Sequence, residues 1–157
     1  MPAGPFHFYA TNAAIIKQVD LSTASLFFAL LSNGYTPNIL ASGHSSWADV
    51  SADEIAEEGG YVSGGFDLQT EGVTQNLASN GWRVTSGNAQ WDALTPGIPA
   101  WRYGLLYVNT NPYWGVNKPL LAYFLGDVTG ADYPVTATGE QLRIVCPVDG
   151  WFRTVCV

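Results

Sequence analysis

Two histidines are the first residues to test for acid–base or metal chemistry, because histidine is the commonest general base and metal ligand in proteins. They are His7 and His44. His44 precedes Ser45, but the Gly-x-Ser-x-Gly motif that exposes a nucleophilic serine is absent, and neighbours in sequence need not meet in space. The pattern indicates no reaction. We expect His44 to be a solvated loop residue and the protein not to be an enzyme.

An acidic run is the second candidate, since carboxylates can hold a hard cation. Its members are Asp49, Asp53, Glu54, Glu57 and Glu58. The run lacks the ligand spacing and the central glycine of an EF-hand. The glycine pairs that follow it have no lysine nearby, so they indicate turns and not a phosphate-binding loop. We therefore expect a solvated acidic face, no metal and no cofactor.

Aromatic side chains could stack on sugar rings, and the chain has 6 Trp, 8 Tyr and 7 Phe. The candidates are Trp47, Trp82, Trp91, Trp101, Tyr113, Trp114 and Trp151. Most of them lie in alternating segments, where an inward aromatic belongs to the core. Tyr113 and Trp114 differ, because they are adjacent in the loop 109–119, and loop aromatics often mark a contact surface. We predict an exposed aromatic loop that contacts another subunit or packs locally, with a glycan site as a further alternative.

The N-terminal segment 1–9 is a second candidate contact. It carries Phe6 and Phe8 but has too little local pattern to fold alone. We predict that it forms an arm through which these two aromatics reach another subunit.

The charge balance limits the partners. The 157 residues include 6 Lys and Arg against 13 Asp and Glu, for a net charge of −7. Without a cluster of Lys or Arg, we expect neither nucleic acid nor a membrane surface as a partner. No segment approaches the roughly 18 apolar residues of a membrane span, and Met1–Pro5 lacks the layout of a secretion signal. We expect the protein to be soluble as made.

Short apolar segments separated by turn residues indicate a β protein. The run Leu26–Leu31 predicts a strand buried on both faces, and the alternating segment Trp101–Val108 predicts a central strand. A short helix is expected over 8–16, and a single helical turn at the capping-box spacing of Ser51 and Glu54.

Two hairpins are also predicted. One joins 82–85 to 89–94 through Ser86-Gly87-Asn88, and the other joins 141–148 to 151–157 through the Asp149-Gly150 turn. Eight or nine strands at this spacing predict one mainly β domain over 1–157, a compact antiparallel sandwich or barrel with one or two short helices at most.

The cysteines Cys146 and Cys156 flank the second predicted hairpin. Centring that hairpin on Asp149-Gly150 places Cys146 opposite Arg153, so the two thiols lie on opposite faces of the hairpin. Two buried thiols are then expected. A longer loop centred on Trp151 would instead allow a disulfide, and the sequence leaves both arrangements open.

A series of landmarks follows in order along residues 6–126. The first half holds Leu30-Leu31, Tyr35-Thr36-Pro37-Asn38, Trp47-Ala48-Asp49-Val50, Glu54-Ile55, Gly60-Tyr61, Gly64-Gly65 and Leu68. The second half holds Val73-Thr74-Gln75, Trp91-Asp92-Ala93-Leu94, Trp101-Arg102-Tyr103-Gly104-Leu105-Leu106-Tyr107 and Pro119-Leu120-Leu121-Ala122-Tyr123-Phe124. In series these landmarks resemble a group of small virion structural proteins of tailed bacteriophages. The aromatic loop and the cysteine-bearing C-terminal end depart from that pattern.

The resemblance implies a structural role with no catalytic residues. It implies a virion protein made in the host cytoplasm but does not fix its place in the virion. The low charge of the chain and its lack of the length and repeats of a fibre shaft favour a head decoration (cement) protein that stabilises the capsid shell. Such a protein forms a homotrimer or another symmetric oligomer and binds the major capsid protein or other virion proteins. The alternative is a neck, tail or fibre-tip component that could bind a host glycan. A glycan hydrolase would need paired carboxylates across a cleft, which a sequence cannot show.

The aromatic loop generates the first prediction. The double change Tyr113→Ala with Trp114→Ala should reduce self-association or binding to particles, because it removes the apolar surface offered by the loop. Circular dichroism should show an unchanged fold. Unchanged oligomer mass and particle binding would remove the loop from the interface.

Overall fold

The computed structural model describes residues 6–8, 25–40, 42–69, 72–76, 81–109 and 116–153. Within these ranges the chain forms ten strands and two short 3-10 helices. The strands are β1 Phe6–Phe8, β2 Leu26–Leu31, β3 Phe66–Asp67, β4 Gly72–Asn76, β5 Gly81–Thr85, β6 Ala89–Asp92, β7 Tyr103–Val108, β8 Leu120–Leu125, β9 Gln141–Ile144 and β10 Phe152–Arg153. The 3-10 helices are Trp47–Asp49 and Ser51–Asp53.

The strands form three antiparallel sheets, which confirms the prediction of a mainly β chain. The large sheet has the order β1-β8-β7-β2-β3, and the small sheets have the orders β10-β5-β4 and β6-β9. The sheets do not close into a barrel, so the structure is compatible with the sandwich alternative. Strand β7 lies in the middle of the large sheet, as its sequence predicts.

Strand β2 is buried on both faces, as its continuous apolar run predicts. Successive side chains of a strand point to opposite faces. Leu26, Phe28 and Leu30 therefore enter one core cluster, while Ala29 and Leu31 enter another. All five are fully buried. One strand thus anchors two cores.

The larger core confirms the expected core position of three of the candidate aromatics. Trp91, Trp101 and Trp151 all lie in it and expose 6% or less of their surface. The second core, on the opposite face of the large sheet, contains Tyr35 and Tyr107. These rings pack the interior and offer little surface to a ligand.

The first predicted hairpin is wrong. Strand β5 pairs with β4 and β10, whereas β6 pairs with β9. The linker between β5 and β6 binds other segments. The Gly87 N–H donates to the Gln69 carbonyl at 2.9 Å, and the Asn88 side-chain oxygen accepts from the Cys146 N–H at 2.9 Å. These bonds carry the chain from one sheet to another.

The second predicted hairpin is also wrong, although its turn exists. The Gly150 N–H donates to the Pro147 carbonyl at 2.8 Å. The Trp151 N–H then donates to the Val84 carbonyl, which draws the chain onto β5. Because β9 and β10 belong to different sheets, the predicted pairing of Cys146 with Arg153 does not form.

Two further predictions fall partly on the described ranges. Cys146 is a free, half-buried thiol, and Cys156 lies outside those ranges. Of the helix expected over 8–16, only Phe8 is described, and it ends strand β1.

Gly65 generates the second prediction. It has φ of 83°, and a Cβ there would overlap the Phe28 carbonyl of β2. Gly65→Ala should lower the free energy of unfolding by at least about 3 kcal/mol, from left-handed strain plus the overlap. Gly130→Ala is the matched control, because Gly130 has φ of 75° but open space around it. It should cost only the strain, about 1 to 2 kcal/mol. Urea unfolding followed by tryptophan fluorescence measures both, and equal losses would contradict the prediction.

Candidate functional site

The predicted contact residues Phe6 and Phe8 lie in strand β1, which is the outer strand of the large sheet among the described strands. Phe6 pairs with Phe124 and Phe8 with Ala122 of β8. The segment predicted as an arm is therefore, over 6–8, part of the sheet. Because β1 runs antiparallel to β8, its Phe8 end is nearer the start of β8.

The other two predicted contacts, Tyr113 and Trp114, lie outside the described residues. The ends of their loop are described. The Asn109 N–H donates to the Ser25 carbonyl, and Pro119 forms an antiparallel bridge with Ser46. The loop is thus fixed at its base beside the start of β8.

A groove of about 530 Å³ lies at this base, and we call it the serine groove. Its walls include Ser45, Ser46, Trp47, Ser51, Asn117 and Lys118. The Trp47 ring stacks on Tyr107 with centroids 4.7 Å apart. The main-chain N–H of Trp47 donates to the Lys118 carbonyl at 2.9 Å, and Lys118 has a left-handed φ of 52°. The serine groove and the described end of the aromatic loop, at Pro119, thus lie together beside the start of β8.

Asp49 organises one wall of the serine groove. Its Oδ2 accepts the N–H groups of Ser45 and Ser46 at 2.8 and 2.9 Å, and their hydroxyls at 3.3 and 3.1 Å. These bonds, above all the one from the Ser45 N–H, lower the pKa of Asp49. The single helical turn expected to begin at Ser51 is confirmed as the 3-10 helix Ser51–Asp53. The capping box itself lies one helix earlier, on Ser46 and Asp49.

A buried set of polar groups, which we call the phenol–carboxylate network, consists of Glu54, Tyr61, Gly64 and Tyr107. The Tyr61 hydroxyl accepts from the Leu30 N–H at 3.0 Å and donates to Glu54 Oε1 at 2.7 Å. The Gly64 N–H donates to the same carboxylate oxygen at 2.7 Å. The Tyr107 hydroxyl donates to the Gly64 carbonyl at 2.7 Å. The network ties the loop after the 3-10 helices to β2 and β7.

Burial sets the protonation of the phenol–carboxylate network. It raises the pKa of Tyr61 and of Tyr107, with the Glu54 charge as the next cause, so both phenols stay neutral. It also raises the pKa of Glu54, against the two hydrogen bonds that the carboxylate accepts. Raised pKa values often mark active sites. The Glu54 carboxylate lines neither the serine groove nor the second groove described below. Its hydrogen bonds, from the Tyr61 hydroxyl and the Gly64 N–H, hold parts of the fold together.

The expectation of a solvated acidic face is wrong for Glu54, which the phenol–carboxylate network holds half-buried. Glu57 and Glu58 are exposed, as expected. The expectation of a solvated histidine is wrong as well. His44 is half-buried, its ring lies 5.6 Å from that of Tyr35, and its Nδ1 is 3.3 Å from the Tyr35 hydroxyl.

A second groove, of about 540 Å³, was not predicted from the sequence. It lies between β3 and β6, and we call it the β3–β6 groove. Asp67 and Gln69 reach it from one side, and Gln90 and Asp92 from the other. Apolar and polar residues alternate along the sequence of both segments, and this pattern predicts that the four polar residues face solvent. It does not show that the two wet faces meet, because the strands belong to different sheets.

The described ranges contain neither a cluster of metal ligands nor a membrane-spanning helix. In that part of the chain, no three His, Cys, Asp or Glu side chains gather as they would around a metal ion. No helix described there has the length and apolar character to cross a membrane. Comparison of the chain with protein-family models, with curated proteins and with solved structures gave no match.

Glu54 generates the third prediction. Because its folded pKa lies above the ordinary value near 4.5, the folded state binds the proton more tightly than the unfolded chain does. Its contribution to the free energy of unfolding therefore falls as the pH rises from 4.5 through the raised pKa. Glu54→Gln keeps an oxygen acceptor for Tyr61 and Gly64 but carries no charge. It should flatten this fall and cost no stability at pH 7.

Urea unfolding at pH 4 and pH 7 tests this prediction. Glu58→Gln, at an exposed carboxylate three residues from Tyr61, serves as the control and should leave the fall in place. Glu54→Leu removes the acceptor of two buried donors and should cost about 1 to 3 kcal/mol at either pH. A fall that survives in Glu54→Gln would show that another group causes it.

Proposed function

We propose that the chain is a non-enzymatic structural protein of a tailed-bacteriophage virion, and specifically a head decoration (cement) protein that self-associates on the capsid. The observation that carries the proposal is where the landmark residues lie. Leu30, Glu54, Tyr61, Gly64 and Tyr107, which all belong to the landmarks, form the phenol–carboxylate network and its bond to β2.

Several other landmarks also occupy structural positions. Trp47 stacks on Tyr107, Gly65 passes against the carbonyl of Phe28, and Trp101 and Phe124 lie in the larger core. Residues that a family shares because they build its scaffold should be joined in this way. Their connection supports a likeness in fold, and with it the virion assignment that the likeness implies.

The edge of the large sheet supports self-association. Edge strands that must stay single are usually protected by charged residues, proline or a bulge. Strand β1 has the sequence Phe-His-Phe and offers neither lysine, acid nor proline. The outer strand of the described sheet is thus suited to contact a second copy or a capsid subunit. The serine groove and the base of the aromatic loop adjoin the neighbouring strand β8.

In this proposal the partners are further copies of the chain, as a trimer or another symmetric oligomer, and the major capsid protein. The protein is made in the host cytoplasm and ends in the virion, and it needs no cofactor. The chain has a net charge of −7, so identical copies on a lattice repel one another. Only 12% of its residues are charged, which leaves room for contact surfaces of low charge where this repulsion is small.

The copy number per virion is the fourth prediction and the test of the proposal. Quantitative mass spectrometry of purified particles should give a number comparable to that of the major capsid protein. A small multiple of three or six would instead place the chain in the neck, tail or fibre and overturn the decoration role. Absence of the chain from particles would overturn the virion assignment altogether.

A further inference from the structure

We propose that the β3–β6 groove binds a neutral saccharide. This inference goes beyond the virion role and does not rest on it. The groove lies between β3, the edge strand of the large sheet opposite β1, and β6 of a small sheet. A ligand there would leave the β1 edge available for assembly.

The polar rim of the groove carries the first argument. Asp67 and Asp92 supply carboxylate oxygens, which only accept hydrogen bonds, and Gln69 and Gln90 supply amides, which donate and accept. Gln69, Gln90 and Asp92 are exposed, so their outer atoms are open to a ligand. Each sugar hydroxyl is both a donor and an acceptor, so adjacent hydroxyls match planar groups of these two kinds.

An apolar floor carries the second argument. Phe66 is half-buried in the groove and packs edge-on against Trp91, with ring centroids 5.5 Å apart and planes at 77°. Leu94 and Val62, at 62% and 57% exposure, continue the apolar surface. The C–H face of a pyranose ring packs on a surface of this kind, while its hydroxyls reach the rim.

The charge of the groove selects among ligands. None of the side chains that line it is a Lys, Arg or His, and two are carboxylates. Arg143, the cross-strand partner of Gln90, projects from the same face of the small sheet but is not one of the residues that line the groove. Phosphates, nucleotides and acidic sugars would therefore be repelled. A Lys or Arg side chain of a bound peptide would pair with one carboxylate but would leave both amides and the apolar floor without a partner.

The rim is held in place before any ligand binds. Asp67 Oδ1 accepts the Gln69 N–H at 3.2 Å, and the Gln141 side-chain amide donates to Asp92 Oδ1 at 2.8 Å. Gln69 has a left-handed φ of 45°; the other such non-glycine residue in the described ranges, Lys118, lines the serine groove. Unfavourable backbone angles of this kind concentrate at ligand-binding positions. A preordered rim lowers the entropy cost of binding.

Selective binding of neutral glycans is the fifth prediction. It is measured on a printed array of neutral and sialylated glycans, which is probed with the whole chain. Neutral glycans should bind and sialylated ones should not. Titration calorimetry with a bound neutral glycan should show about tenfold weaker affinity for Gln90→Ala, the loss expected for one removed hydrogen-bonding group. Gln75→Ala is the matched control, because Gln75 is also exposed on a strand but lines neither groove. It should bind as the unchanged protein does.

A second variant separates lost binding from lost fold. Gln69→Gly removes the amide and relieves the left-handed backbone, so it should weaken binding while keeping or raising the unfolding midpoint. The proposal is overturned if no neutral glycan binds, if only sialylated glycans or an oligo-arginine peptide bind, or if Gln90→Ala and Gln69→Gly both retain full affinity.

Discussion

A strand buried on both faces must find a protein partner for every main-chain N–H and C=O, because water cannot reach them. Strand β2 meets this demand on one side with β7, in six registered pairs. On its other side β3 covers only Phe27 and Phe28. The remaining groups are satisfied by loop elements: the Ile55 N–H donates to the Leu30 carbonyl, and the Tyr61 hydroxyl accepts the Leu30 N–H.

This demand explains why the loop around residues 53–65 is so closely specified. The Tyr61 hydroxyl accepts a hydrogen bond from β2, and because it is buried its own proton also needs an acceptor. Glu54 provides that acceptor. Gly65 lets the chain pass against the Phe28 carbonyl, where a side chain would overlap it. The cost is a half-buried carboxylate whose ionisation is disfavoured, which the fold tolerates because two donors converge on one of its oxygens.

The sequence predicted well those features that depend on local pattern. The apolar run of β2, the central place of β7 and the inward tryptophans all follow from side-chain period and burial. The predictions of the two hairpins were wrong because a turn signal such as Asp149-Gly150 marks where the chain reverses. It does not say with which strand the chain then pairs. Trp151 and Gly87 are bound by partners far away in sequence, Val84 and Gln69, and no local pattern contains that information. The roles of Glu54 and of the β3–β6 groove were missed for the same reason.

The pairing of β2 with β7 joins residues 26–31 to residues 103–108. During synthesis the most apolar strand of the chain therefore leaves the ribosome long before its main partner exists. Of the described elements that pair with β2, only β3 and the loop at its outer edge can have formed before residue 108 emerges. The nascent chain thus presents an apolar strand without its main partner while residues 32–108 are being made, a state that favours aggregation.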